Sequence, residues 1–207
     1  MLVLHYTGMK TAEEALARLC DPAAKVSAHY TVDRDGSVYA HVPEERRAWH
    51  AGASHWAGRS GVNDRSIGVE LVNPGHEFGY SPFTDDQIAS LIELARGILK
   101  RHAIPARFVL GHSDVAPSRK TDPGELFPWQ HLAEHGIGLW PAARSANAPD
   151  GADFVAALAG FGYGVPPAVD VPLEAVIAAF QRHFRPSCIN GVADDESRAV
   201  LAGLLAM

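Results

Sequence analysis

The sequence predicts an α/β fold followed by a small helical unit, on three observations. Strand-like and helix-like segments alternate over roughly the first 140 residues. From Pro141 to Asp150 the composition turns to Pro, Ala, Ser and Asn, as in a linker. Three amphipathic helical patterns then follow. The expected boundaries are a first domain over 1–142, a linker over 143–150 and a helical domain over 151–207.

Leu2 to Tyr6 is an apolar run of the kind found in a central strand buried on both faces. Thr11-Ala-Glu-Glu14 matches a capping box and opens a helix with Ala15, Leu16 and Leu19 inside. Ser27 to Val32 and Ser37 to Val42 read as two strands joined by the turn Asp33-Arg34-Asp35-Gly36. Ser66 to Val72 is another strand, closed by Asn73-Pro74-Gly75. Thr84-Asp-Asp-Gln87 is a second capping box. Behind it Ile88, Leu91, Ile92, Ala95 and Leu99 form one apolar stripe. Phe108 to Leu110 gives a short strand, and Gly111 to Pro128 a long loop of the length usually reserved for function. In the helical unit, Phe154 to Phe161, Leu173 to Phe184 and Val200 to Leu205 carry the three apolar faces, with Asp194 as an N-cap.

Composition excludes several classes. With 207 residues, 47% of them hydrophobic, the chain can bury a core and is not disordered. The net charge is −6 and no basic block stands out, which argues against nucleic acid or an anionic membrane as partner. Cys20 and Cys188 form no CxxC pair, so neither a cysteine metal site nor a redox motif is expected. No apolar run approaches the roughly 20 residues of a membrane helix. Met1 leads straight into a core strand, without the charged and apolar regions of an export signal. That start leaves open a native N-terminus further upstream.

Two of the eleven histidines stand apart. His5 lies at the end of the first buried strand, where an apolar residue is the norm. His112 follows the strand Phe108 to Leu110 directly, and functional groups gather at such strand ends. Asp122 comes ten residues later in Arg119-Lys120-Thr121-Asp122-Pro123-Gly124. Two histidines and a carboxylate suit a catalytic zinc with one position left for water. Spacing alone leaves satisfied core histidines as the competing reading. His76, His102, His131 and His135 read as ordinary surface or cap residues.

Five segments occur in a telling order: His5-Tyr6-Thr7, Val26-Ser27-Ala28-His29-Tyr30, Arg47-Ala48-Trp49-His50-Ala51-Gly52, Ser66-Ile67-Gly68-Val69-Glu70-Leu71, and Gly111-His112-Ser113-Asp114-Val115-Ala116-Pro117-Ser118-Arg119-Lys120-Thr121-Asp122-Pro123-Gly124. Together they resemble the zinc N-acetylmuramoyl-L-alanine amidases of the AmpD and AmiD class, whose fold peptidoglycan-recognition proteins share. The likeness spans residue 2 to about 140.

The resemblance implies a mixed central sheet flanked by helices, with a zinc cleft. It implies one Zn2+ held by His5, His112 and Asp122, with Glu70 and Lys120 as catalytic residues. Its substrate would be peptidoglycan or a muropeptide, cut between the muramoyl sugar and L-alanine. His29 and His50 would orient the site or shape the groove. Trp49, Arg59 and Asn63, within the stretch Trp56 to Asn63 or near it, would meet substrate. Ala179 to Pro186 with Asn190-Gly191-Val192-Ala193-Asp194 resembles a small three-helix peptidoglycan-binding domain, against a purely structural extension. Two other functions stay open here: a non-catalytic peptidoglycan-recognition module, and a zinc endopeptidase cutting within the stem peptide. The missing export signal points to the cytoplasm, and the wall-binding likeness to the envelope.

Overall fold

Fifteen α-helices and β-strands form the frame of the described chain, in the order β1 (Leu2–Tyr6), α1 (Ala12–Cys20), β2 (Tyr30–Val32), β3 (Val38–Ala40), β4 (His55–Trp56), β5 (Arg59–Ser60), β6 (Ile67–Leu71), α2 (Gly75–Phe78), α3 (Asp85–His102), β7 (Val109–Gly111), α4 (His112–Val115), α5 (Trp129–Glu134), α6 (Gly151–Phe161), α7 (Leu173–Phe184) and α8 (Asp195–Leu205). The structure is a computed structural model and describes residues 1–141 and 151–207. The linker expected over 143–150 lies outside the described residues.

Five strands form one mixed sheet in the order β3-β2-β6-β1-β7. Only the β2–β3 pair is antiparallel. β1 is an interior strand between β6 and β7, and its alternation sorts the core into two halves. Leu2 and Leu4 point to one face, where Val69, Leu71 and Val109 meet Ile88, Leu91, Ile92, Ala95 and Ile98 of α3. Val3 points to the other, beside Leu110 and Val115, and packs with α6, α7 and α8. Each fully buried leucine contributes about 1.5–3 kcal/mol, which is why β1 reads as one apolar run.

Local chemistry sets the helix starts. The Thr11, Thr84 and Asp194 side chains accept from Glu14 N, Gln87 N and Ser197 N. In the helical unit Gln181 is the buried organiser. Its amide donates to Asn190 Oδ1, Val192 O and Ser197 Oγ, and its oxygen accepts from Asn190 N and Gly191 N.

Several expectations change. The strand expected from Ser27 forms only at Tyr30, because the His29 ring bonds Arg46 O and Gly68 N instead of facing along a ladder. The α3 stripe ends on Ile98, with Leu99 only half-buried. The short strand runs Val109–Gly111, and the loop after it opens with helix α4 rather than staying irregular. Leu16 and Leu19 are not core: among the α1 residues only Ala15 is buried, since this helix borders an open groove. Cys20 and Cys188 are free and exposed. Among the described residues no helix is long and apolar enough to cross a membrane.

Candidate metal centre

Three different elements deliver three side chains to one point. His5 leaves the last part of β1 on the Val3 face. His112 opens α4 directly after β7. Asp122 stands on the following loop, pinned by Ser113 N donating to Asp122 O at 2.9 Å. His5 Nδ1, His112 Nδ1 and Asp122 Oδ2 lie 3.0, 3.0 and 3.1 Å apart, and all three residues are buried.

Their hydrogens can be placed by following partners outward. Ser66 Oγ donates to Val62 O at 2.7 Å, so its single hydrogen is used. It must then accept from His50 Nε2, 3.1 Å away. A neutral His50 is left with a bare Nδ1, which accepts from His5 Nε2 at 2.9 Å. His5 Nδ1 is therefore bare too. Burial holds both rings neutral, His5 down at about 4 and His50 well below the usual histidine value. His112 Nε2 lies 3.1 Å from Ala51 O, which can only accept, so a neutral His112 also presents a bare Nδ1.

Three acceptor atoms thus face one another without a hydrogen between them. Such a cluster repels itself unless a cation sits among them. Ligand atoms about 2.05 Å from a tetrahedral zinc stand about 3.3 Å apart, so a few tenths of an ångström of spreading admits the ion. The donor set and spacing fit zinc.

Glu70 stands in register with His5 on the neighbouring strand, so both leave the same face of the sheet. Its Oε2 is sealed from solvent and has no hydrogen-bond partner among the described residues. Burial pushes its pKa well above the carboxylate range, Asp122 adds to this, and Lys120 pulls the other way.

These groups line a groove of about 510 Å³. Lys120, Trp49 and His50 border it, Trp49 being 49% exposed. The other expected contacts do not. His29 is buried against Arg46 O and Gly68 N. Asn63 Oδ1 accepts from His50 N and Ala51 N, holding the His50 segment in place. Arg59 is exposed on the β4–β5 hairpin, and Trp56 is core, so that stretch lies away from the groove. Sequence reasoning passed over two features. His76, read as an ordinary surface residue, forms a groove wall with Tyr6: the Tyr6 hydroxyl bonds His76 Nδ1 at 3.0 Å, and His76 stacks on Tyr80. Arg119 also lines the groove, its guanidinium donating to Ala51 O and Ala53 O. Its place beside Lys120 in the long motif was the available signal.

Comparison with known proteins agrees with this geometry. Residues 1–125 match the family described as N-acetylmuramoyl-L-alanine amidase. The chain is 43% identical to N-acetylmuramoyl-L-alanine amidase AmiD of Escherichia coli, over 99% of this chain and 82% of that protein. The solved complex of AmiD with the substrate anhydro-N-acetylmuramic acid-L-Ala-D-γ-Glu-L-Lys superposes with a TM-score of 0.89 at 41% identity, over 100% of this chain and 88% of that one. AmpDh3 from Pseudomonas aeruginosa, in complex with anhydromuramic pentapeptide, gives 0.86 at 35% identity, over 98% and 89%.

Proposed function

The chain belongs to the N-acetylmuramoyl-L-alanine amidase family, and from that premise we propose that it hydrolyses the amide between an N-acetylmuramoyl or anhydro-muramoyl residue and the L-alanine of a stem peptide, using one zinc ion at His5, His112 and Asp122. The carrying observation is the convergence of three bare acceptor atoms beside Glu70, whose buried Oε2 has no hydrogen-bond partner among the described residues. Cell-wall turnover or recycling is the setting this reaction serves.

Bound there, zinc would lower the pKa of water to about 7 and polarise the scissile carbonyl. The rest falls to the chain's own residues. Glu70, with its raised pKa and free Oε2, takes the proton of the attacking water and delivers it to the leaving nitrogen. The Lys120 ammonium, on the same groove, meets the negative charge that develops on the carbonyl oxygen. Arg18 and Arg119 on the groove walls suit the carboxylates of a stem peptide.

Mass spectrometry of products from muramyl-tripeptide tests this, with an EDTA-treated control. Release of free tripeptide starting at L-alanine, abolished by EDTA, is the expected result. Cleavage within the peptide would make the protein an endopeptidase. Binding without cleavage would make it a recognition module.

The helical unit is assigned a second task, holding the enzyme on its polymer by raising effective concentration. Co-sedimentation with insoluble peptidoglycan checks it; protein left wholly in the supernatant refutes it.

A further inference from the structure

The carboxylate of Asp114 is almost fully buried, at 1% exposure, and it is not a metal ligand. Three donors surround it. Gly111 N reaches Oδ2 at 2.7 Å, closing the turn that carries His112. The Tyr163 hydroxyl reaches Oδ1 at 2.6 Å. His183 Nδ1 reaches Oδ2 at 2.7 Å. A carboxylate only accepts, so all three partners donate. Two of the three come from beyond the linker, from the helical unit.

The same contact is built up around His183. Its ring is stacked on Trp129 at 3.7 Å and on Phe184 at 3.9 Å. Trp129 in turn presses on Gly111: a Cβ there would come within 3.3 Å of the indole and 2.8 Å of Pro123 Cδ. Val3, Leu110 and Val115 share one apolar cluster with Phe154, Phe180 and Leu201. The helical unit is therefore packed into the base of the turn from Gly111 to Val115, which a tethered accessory domain would not need.

We infer that Tyr163 and His183 are positioning residues for His112, acting through Asp114, so that the helical unit completes the metal site of the catalytic half. This rests on the metal reading above. Asp114 ties the backbone on either side of His112, and the helical unit supplies two of its three restraints. Losing one leaves a buried charge short of a donor and the His112 turn free to shift.

The test is zinc affinity by chelator competition, with amide hydrogen exchange over residues 111–115 of the metal-free protein as a second readout. The full chain carries Tyr163→Phe, His183→Leu, His183→Asn or, as control, Leu204→Ala. Leu204 is buried in the same cluster and has no bond to Asp114. Tyr163→Phe and His183→Leu should each weaken zinc binding about tenfold, the low end for a residue supporting a ligand, and speed exchange over 111–115. His183→Asn, whose amide nitrogen can take the place of Nδ1, should recover most of the affinity. Leu204→Ala should lower the melting temperature and leave both readouts unchanged. Wild-type affinity and exchange in Tyr163→Phe and His183→Leu, or equal losses in Leu204→Ala, overturn the inference. A wild-type protein that binds no zinc would sink the metal reading, and exchange would still decide the coupling.

Discussion

Ser66 is the outermost member of the hydrogen-bond chain behind His5, and Ser66→Ala removes one oxygen without touching a ligand. The loss leaves His50 Nε2–H and Val62 O without each other's intermediary. His50 then no longer has to keep its hydrogen on Nε2. The alternative tautomer turns an N–H toward His5 Nε2 and moves the His5 hydrogen onto Nδ1, the atom that must be bare to bind metal. An unsatisfied buried donor costs about 1–3 kcal/mol. If half of that, about 0.5–1.5 kcal/mol, bears on the metal-bound state, zinc affinity falls about 2- to 13-fold. Competition with a chromogenic chelator at neutral pH measures it directly. Affinity within about twofold of wild type, roughly 0.4 kcal/mol, would refute the placement of hydrogens that defines this site.

Three further outcomes are expected. His112→Ala should lose zinc and amidase activity together, read by metal content and product release on the same sample. Glu70→Ala should keep its zinc and lose about 10²–10⁴-fold in kcat, and near-wild-type turnover would remove it as the general base. Glu44 carries the pH dependence of stability: the Arg101 hydrogen bond, with His102 and Tyr30 outweighing burial, holds its carboxyl at about 2. A depressed carboxylate stabilises the fold above its unfolded pKa of about 4.3 and loses that contribution as pH falls toward 2. The linkage ceiling is about 3 kcal/mol, which screening of the half-exposed Arg101 reduces to about 1 kcal/mol. Denaturant melts of Glu44→Gln should show that deficit near neutrality and converge with wild type near pH 2; a constant difference across pH would refute the assignment.

What could be read in the sequence was local or carried by a motif. Thr11, Thr84 and Asp194 announced their helices because a cap needs only a side chain and an amide three residues on. His5, His112 and Asp122 were legible through the motif set, although 117 positions separate the first from the last. Periodicity cannot tell a groove from a core, so the pattern puts Leu16 and Leu19 inside, whereas α1 leaves both half-buried and turns Leu19 toward the groove. Arg59 looked suited to substrate by charge alone, and its hairpin carries it elsewhere. The His50–Ser66 link and the Asp114 contacts pair residues 16, 49 and 69 positions apart, with no periodic signature between them. The helical unit's three helices were visible in outline, but their packing onto the sheet was not.

The register that sets His5 opposite Glu70 has a consequence for how this site meets different substrates. Neighbouring strands keep a spacing of about 4.8 Å, fixed by backbone hydrogen bonds on both sides of β1 and β6. The gap between His5 and Glu70, the proposed ligand and base, is therefore a ruler made of main chain, which no movement of the groove walls can stretch. A one-residue slip would throw one of the two groups to the opposite face rather than offset it slightly. Adaptation to the length or charge of a stem peptide is left to the rims, to Trp49, Arg119 and the Tyr6–His76 wall. Selectivity and bond cleavage are thereby carried by different parts of the molecule, one pliable and one rigid, and changes at the rims can retune the first while sparing the second.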